Sequence, residues 1–396
     1  MITPSYAATA TERVLPRLAL DFTTAVTDPR VTTTRALNTA TCVNAAGFID
    51  TVNANLPRYD FDPITKICRG QLIEETRANL LVNSVFAGGG AAPTSFTQPV
   101  ATGSSAPITS TNSLIGVAYS QSSTAQRPFI AQSVSLTNAT QYAISMVIEA
   151  TSGVPNNGIL GVSGFTITQY FVNGVAVSAS AASVPGVLSA VFTNNIGTAS
   201  YSCRYGLGVV TTVTGTLRFS CPQIEAGAFA TSYIPTTTTA LTRNADVAVM
   251  TGTNFSSWWT ATTGSMLVCA QQKTVGGIRP WTQFDDNTTN NIIVLRGNTT
   301  NPELYIKATT DQTQIDAGTI AVNTSYGLTG AWNTNNCAAA INGALPVTDT
   351  SATIPTVTQS RLGCDGTNYL NGWLAKIMYW PQRITDAEVQ AFSKQS

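Results

Sequence analysis

The chain has 396 residues and no histidine. Without an imidazole it can build neither a Ser-His-Asp nor a Cys-His catalytic unit, no histidine-ligated zinc site, and no switch based on imidazole protonation. Charge is scarce too. Asp, Glu, Lys and Arg make up 10% of the residues, twenty of each sign, against roughly a quarter in a typical soluble domain. No basic run is available to neutralise a phosphate backbone, so nucleic-acid binding is not expected. No apolar run approaches the roughly 18 residues of a membrane span. The first twenty residues lack the continuous apolar centre of a secretory signal. The seven cysteines stand at 42, 68, 203, 221, 269, 337 and 364. None forms Cys-x-x-Cys, which argues against a zinc ribbon, and the odd count leaves one over from any complete disulfide set. They read as buried small hydrophobes of a reducing compartment. If the strands around Cys203 and Cys221 pair as a hairpin about Thr212, those two thiols fall opposite each other and a cross-strand disulfide is open.

What the chain has instead is 43% hydrophobic residues, diluted by Thr, Ser, Asn, Ala and Gly. Its length suits two or three domains. Apolar residues alternate with polar ones in short runs, the period of half-buried strands. One series covers 128–136, 141–149, 158–178, 187–193, 199–209 and 215–223. A second covers 265–271, 278–284, 291–296, 303–308, 313–321, 325–333, 336–341, 346–348 and 358–363. Asn173-Gly174 and Asn342-Gly343 are hairpin turns, since a type I′ turn needs positive φ at both central positions. Between the series lies 217–250. Leu217, Phe219 and Cys221 share a strand face there, Pro222 ends the alternation, and Gly227, Pro235 and Thr236 to Thr239 follow. This run has little to bury and is expected to pass outside any core. Near the C-terminus Pro381 stops a strand. Thr385-x-x-Glu388 is a capping box opening a short helix, whose Val389 and Phe392 share a docking face.

Three phrases carry a family resemblance. The first is Gln223-Ile224-Glu225-x-Gly227-Ala228-Phe229-x-Thr231-Ser232-Tyr233-Ile234-Pro235-Thr236, followed by Thr242-Arg243-x-x-Asp246. The second runs from Leu20-Asp21-Phe22 through Arg35, Pro57-Arg58-Tyr59-Asp60-Phe61-Asp62 and Gly70-x-Leu72-Ile73-Glu74-Glu75-x-Arg77-x-Asn79. The third is Leu370-Asn371-Gly372-Trp373-Leu374-Ala375-x-Ile377-x-Tyr379-Trp380-Pro381. Together they resemble bacteriophage virion proteins of the tail-fibre and head-decoration type. In these, a carbohydrate-binding-module-like jelly roll leads into a concanavalin A-like, laminin-G-like lectin domain. The resemblance implies an all-β chain of two tandem antiparallel β-sandwiches with a short C-terminal helix. The expected divisions are an N-terminal arm over 1–20, a β-rich preamble over 21–82 packing on the sandwiches, a jelly roll over 83–240 and a lectin-like sandwich over 241–396.

Few residues suggest chemistry. Glycosidases of the concanavalin A-like type set two carboxylates about 5 Å apart on one strand face. The glutamates here, at 12, 74, 75, 149, 225, 303 and 388, form no such pattern. Asp60 and Asp62 flank Phe61, and local pairing with Arg58, Arg69 or Arg77 is the simpler account. Glu74-Glu75 reads as the outer face of a strand. Asp285-Asp286 would point to opposite faces. With Asp365 it could offer oxygen ligands to calcium, but no ligand spacing supports this. No catalytic residue, metal or cofactor is therefore assigned. Sugar binding needs an aromatic platform, and Trp258, Trp259 and Trp281 lie beside loop-like stretches and are the candidates, although tryptophan in a sandwich is more often core.

The resemblance implies a non-enzymatic virion structural protein. It would be a tail fibre or receptor-binding component, or a capsid decoration or head fibre, that recognises surface glycans. Its expected partners are other virion proteins and a host-surface glycan, in a homo-oligomer. The alternatives are a tail polysaccharide depolymerase and a stand-alone bacterial carbohydrate-binding protein.

Overall fold

A computed structural model of the protein describes residues 15–88, 90–98, 104–111, 117–210 and 212–394. The fold is all-β, as the alternating runs require. Strand pairs are antiparallel, and the two α-helices among the described residues are short, Thr253–Ser256 and Asp386–Ser393.

The first sandwich sets a seven-stranded sheet against a three-stranded one. The large sheet has the order Ser104–Thr109, Val117–Gln126, Val213–Ala226, Thr140–Thr151, Gly186–Asn194, Tyr170–Val172, Val175–Val177. The small sheet joins Ile130–Leu136, Ala199–Tyr205 and Leu160–Val162. Tyr119, Ile144, Leu188 and Phe219 on one side meet Ile130, Leu136, Leu160 and Tyr205 on the other in a single apolar cluster. The turn at Asn173-Gly174 has φ of 50° and 80° and joins two paired strands, as its sequence requires. The Cys203–Cys221 expectation is corrected. Ala199–Tyr205 pairs with Ile130–Leu136 and Leu160–Val162 in the small sheet, not with Val213–Ala226, so the two thiols lie in different sheets and do not form a disulfide with each other.

The second sandwich draws strands from both ends of the chain. One sheet runs Val347–Asp349, Asn336–Ile341, Ser325–Asn333, Gly264–Gln272, Gly372–Trp380, Cys68–Ile73, Tyr59–Phe61. Leu18–Asp21 also pairs with Gly372–Trp380, in the register Leu18↔Tyr379. The facing sheet runs Thr32–Thr34, Val247–Thr251, Gln359–Leu362, Ile278–Asp285, Asn291–Asn298, Asn301–Ala308, Thr310–Asp316. Four strands from the first 73 residues are thus built into the sheets of this lobe. The arm expected over 1–20 is corrected for its last part. Leu18 and Leu20 alternate with exposed neighbours and are buried in the core, which an exposed arm could not achieve. Residues 1–14 of that arm lie outside the described residues.

The C-terminal helix is capped as its sequence predicts. The Glu388 backbone N–H donates to Thr385 Oγ1, and the Thr385 N–H donates to Glu388 Oε2 at 2.8 Å. Phe392 stacks on Trp380 at 4.6 Å between centroids. The connector is only partly an outer strap. Thr237, Thr238 and Thr239 are exposed, but Tyr233, Ile234 and Thr236 are buried. The Ser84 N–H donates to Thr236 Oγ1 and the Thr236 N–H donates to Ser84 Oγ, both at 2.9 Å. Such reciprocal bonds let a hydroxyl run sit where its own composition would keep it out.

Candidate functional site

The tryptophans proposed as a sugar platform do not form one. Trp258 is 1% exposed and Trp281 fully buried. Trp259 is half-buried and packs on Phe255, Phe284, Tyr379 and Trp332. The physical reason is local. Thr253–Ser256 forms a helical turn that rolls Phe255 and Trp258 inward, and Trp281 sits mid-strand, its indole N–H donating to Gln272 Oε1 at 2.6 Å. Their rings build the core of the second lobe.

Polar residues of the first two phrases instead converge where the two lobes meet. Arg58 is the centre of this network and is fully buried. Its Nε donates to Asp246 Oδ1 at 3.1 Å and its Nη2 to Asp246 Oδ2. Its Nη1 reaches Glu74 Oε2 at 3.0 Å, Ser232 Oγ at 2.6 Å and the Thr41 carbonyl at 3.0 Å. Arg35 Nη1 donates to Asp246 Oδ1 at 2.9 Å and also holds the carbonyls of Leu56 and Asn53. Lys273 Nζ donates to Glu74 Oε1 at 2.7 Å. Arg243 completes the set, 3.4 Å from Glu74 and 3.8 Å from Asp246. Breaking a buried, hydrogen-bonded ion pair costs far more than an exposed one, because the partner is left charged and unsolvated.

Glu74 corrects the expectation of an outward-facing carboxylate: it is fully buried. Cys68–Ile73 lies inside the sheet, and Glu74 follows it directly into the network. Burial alone would raise the Glu74 pKa, but Lys273, Arg243 and Arg58 outweigh it and hold the carboxyl well below its usual range. Of the other acidic candidates, Asp62 pairs with Arg69 as expected. Asp60 forms no ion pair among the described residues: Oδ1 accepts from the Val43 N–H and Oδ2 from the Trp373 indole, both at 2.7 Å. Burial pushes the Asp60 pKa up. Asp285 is buried against Arg361, and Asp286 is tied up by Thr288 and Asn291. Neither they nor Asp365 belong to any group of three or more potential metal ligands among the described residues.

Directly over the network opens a cleft of about 320 Å³, at the lower end of the roughly 300–1,000 Å³ usual for small-molecule sites. One wall is the outer face of the first lobe's large sheet, with Ser145, Val147, Val187 and Ser189. The other comes from the N-terminal strands and the second lobe, with Phe61, Arg69, Lys273 and Trp373. Phe229, Tyr233 and Ser232 of the connector close one end, and Asn323 and the Asn173-Gly174 turn another. Asn323 Nδ2 donates to the Gly174 carbonyl at 2.7 Å, a direct bond between lobes. Trp373 stands between two cations, Arg69 at 4.8 Å and Lys273 at 4.9 Å from its ring centroid. Gly372 makes this placement possible: a Cβ there would lie 1.9 Å from the Gln271 carbonyl oxygen, so only glycine lets the Trp373 strand pair so closely with Gly264–Gln272. Asp60 is the one carboxylate among the described residues lining the cleft.

Sequence reasoning missed both network and cleft. One signal was available: charge is only 10% of the chain, yet the quoted phrases hold Arg35, Arg58, Glu74, Arg77, Glu225, Arg243 and Asp246.

No protein-family model and no curated protein matches this sequence. Among solved structures, the sialidase CBM40 of Ruminococcus gnavus is similar over 34% of this chain and 84% of its own, at 15% identity and a TM-score of 0.30. Domain 4 of AbnA, a GH43 extracellular arabinanase from Geobacillus stearothermophilus solved with arabinotriose, is similar over 38% of this chain and 73% of its own, at 13% identity and a TM-score of 0.29. A Trypanosoma rangeli sialidase mutant is similar over 38% of this chain and 26% of its own, at 10% identity and a TM-score of 0.30. At these scores the likenesses leave the function to the residues of this chain.

Proposed function

We propose that this protein is a non-enzymatic structural and adhesive component of a bacteriophage particle, either a tail fibre or receptor-binding part or a head decoration, and that the inter-lobe cleft recognises a surface glycan. One observation carries the reading. The three phrases that resemble phage virion proteins supply the residues that lock the lobes together under the cleft: Arg58, Glu74, Arg243 and Asp246, with Trp373 above them. The cleft offers half-buried rings, hydroxyls and amides, the mixture that sugar C–H faces and hydroxyls use. Its one lining carboxylate, Asp60, is engaged by the Trp373 indole and a backbone amide, which favours a positioning role over proton transfer. Ile64 and Ile67 are 73% and 67% exposed. Two such side chains on one loop suit contact with a neighbouring subunit, as a homo-oligomeric virion part requires.

The test has two arms. Gold-labelled antibody against the purified protein should decorate phage particles, and absence from the particles removes the virion assignment. Incubation with host surface polysaccharide should give binding without release of reducing ends. Release would overturn the non-enzymatic part and restore the depolymerase alternative.

A further inference from the structure

We propose that the cleft takes an anionic saccharide, one bearing a carboxylate or sulfate, held between Arg69 and Lys273 beside Trp373. This rests on the reading of the cleft as a glycan site.

The two cations come from opposite neighbours of one strand. Trp373 lies on Gly372–Trp380, which pairs with Cys68–Ile73 on one side and Gly264–Gln272 on the other. Arg69 belongs to the first neighbour, and Lys273 follows the second directly. Both side chains keep solvent contact, 29% and 16% exposed, and both line the cleft. Each has donors to spare. Lys273 uses one ammonium proton on Glu74, and Arg69 uses Nη2 on Asp62, out of three and five donors respectively. Asp60, the one carboxylate lining the cleft among the described residues, turns its two oxygens to the Val43 N–H and the Trp373 indole, and burial disfavours its charged form.

The network beneath adds to this field. Arg35, Arg58, Arg243 and Lys273 surround two directly paired carboxylates, Glu74 and Asp246. Asp60 and Glu225 stand nearby, and burial disfavours the charged form of both. Arg243 is the sign of under-compensation. It is fully buried and meets Glu74 and Asp246 only at 3.4 and 3.8 Å, and among the described residues none of its three guanidinium nitrogens makes a hydrogen bond. Lys273 is the member of the network that reaches the cleft, so an anion docking there both meets free donors and neutralises buried positive charge. A guanidinium fork and an ammonium beside one indole each suit a carboxylate or sulfate of an acidic sugar, with the ring on the apolar wall.

The experiment is calorimetric titration of the full chain with tri-galacturonate, a sulfated chondroitin disaccharide, carboxyl-reduced tri-galacturonate and maltotriose, at low and at physiological salt. The acidic probes should bind at least about tenfold tighter than their neutral counterparts, the scale of one charge-assisted hydrogen bond, and the difference should shrink as salt rises. Arg69→Gln should lose that advantage while its thermal unfolding stays close to that of the natural chain. The carboxyl-reduced probe tests the same point on the unaltered protein, so the outcome does not depend on the variant folding. Equal binding of neutral and acidic probes overturns the anionic ligand and leaves the glycan site standing. Binding of none of a broad glycan panel overturns both.

Discussion

Arg58 grips Asp246 with two of its nitrogens although 188 positions separate them. One residue comes from the N-terminal strands and the other from the connector, and the pair is sealed from water. Arg58→Met should therefore destabilise the protein by about 3–5 kcal/mol, the cost of stranding a buried partner. Urea unfolding measures it, and a loss no larger than that of an exposed pair would show the network to be incidental.

Acid should weaken the fold through Glu74. Its carboxyl is held well below its ordinary value of 4.5 by Lys273, Arg243 and Arg58, against the effect of burial. The stability this contributes is complete above the unfolded value and is lost as pH falls through the folded one. Asp60 works in the opposite sense. Its folded pKa is raised above 3.8 by burial, so its contribution is present below that value and lost as pH rises through the folded one. In a pH series of denaturation midpoints, Glu74→Gln should flatten the acid limb. Asp60→Asn should remove the decline on the other side. An acid limb unchanged in Glu74→Gln would place the sensitivity elsewhere.

Trp281 should matter for stability and not for recognition. Trp281→Ala removes a fully buried ring and should cost about 3–5 kcal/mol. Glycan binding per folded molecule, measured on a glycan array, should be unchanged. Loss of binding in a variant that still folds would return Trp281 to the site.

Some of this was readable from local chemistry. The Asn173-Gly174 and Asn342-Gly343 turns and the Thr385–Glu388 box each depend on a few adjacent residues, and all three form as their residues demand. The strand runs were readable too, since alternation records which face is wet. Glu74, Arg243 and Thr236 were not readable. Each is polar and fully buried, and what makes burial tolerable is a partner 152 or more positions away, or, for Arg243, the distant Glu74 added to its neighbour Asp246. Trp258 and Trp281 failed for the converse reason: a loop-like neighbourhood in sequence says nothing of what the tertiary fold lays over it.

The second lobe should not fold without its N-terminal strands. Leu18–Asp21, Thr32–Thr34, Tyr59–Phe61 and Cys68–Ile73 pair inside its two sheets. A fragment spanning 241–396 should show no cooperative thermal transition, and adding a 1–82 fragment should restore one. A sharp transition for 241–396 alone would show that the borrowed strands are ornament on a self-sufficient core.

The shared edge of Gly372–Trp380 has a consequence for biosynthesis. Leu18 can meet Tyr379 only after the ribosome has made residue 379. The first lobe, whose strands among the described residues lie between 104 and 226, can close while translation continues. The strand Leu18–Asp21 is thus made well before it can be seated, and until then Leu18 and Leu20 wait in the open, where a chaperone or a sister chain can reach them first.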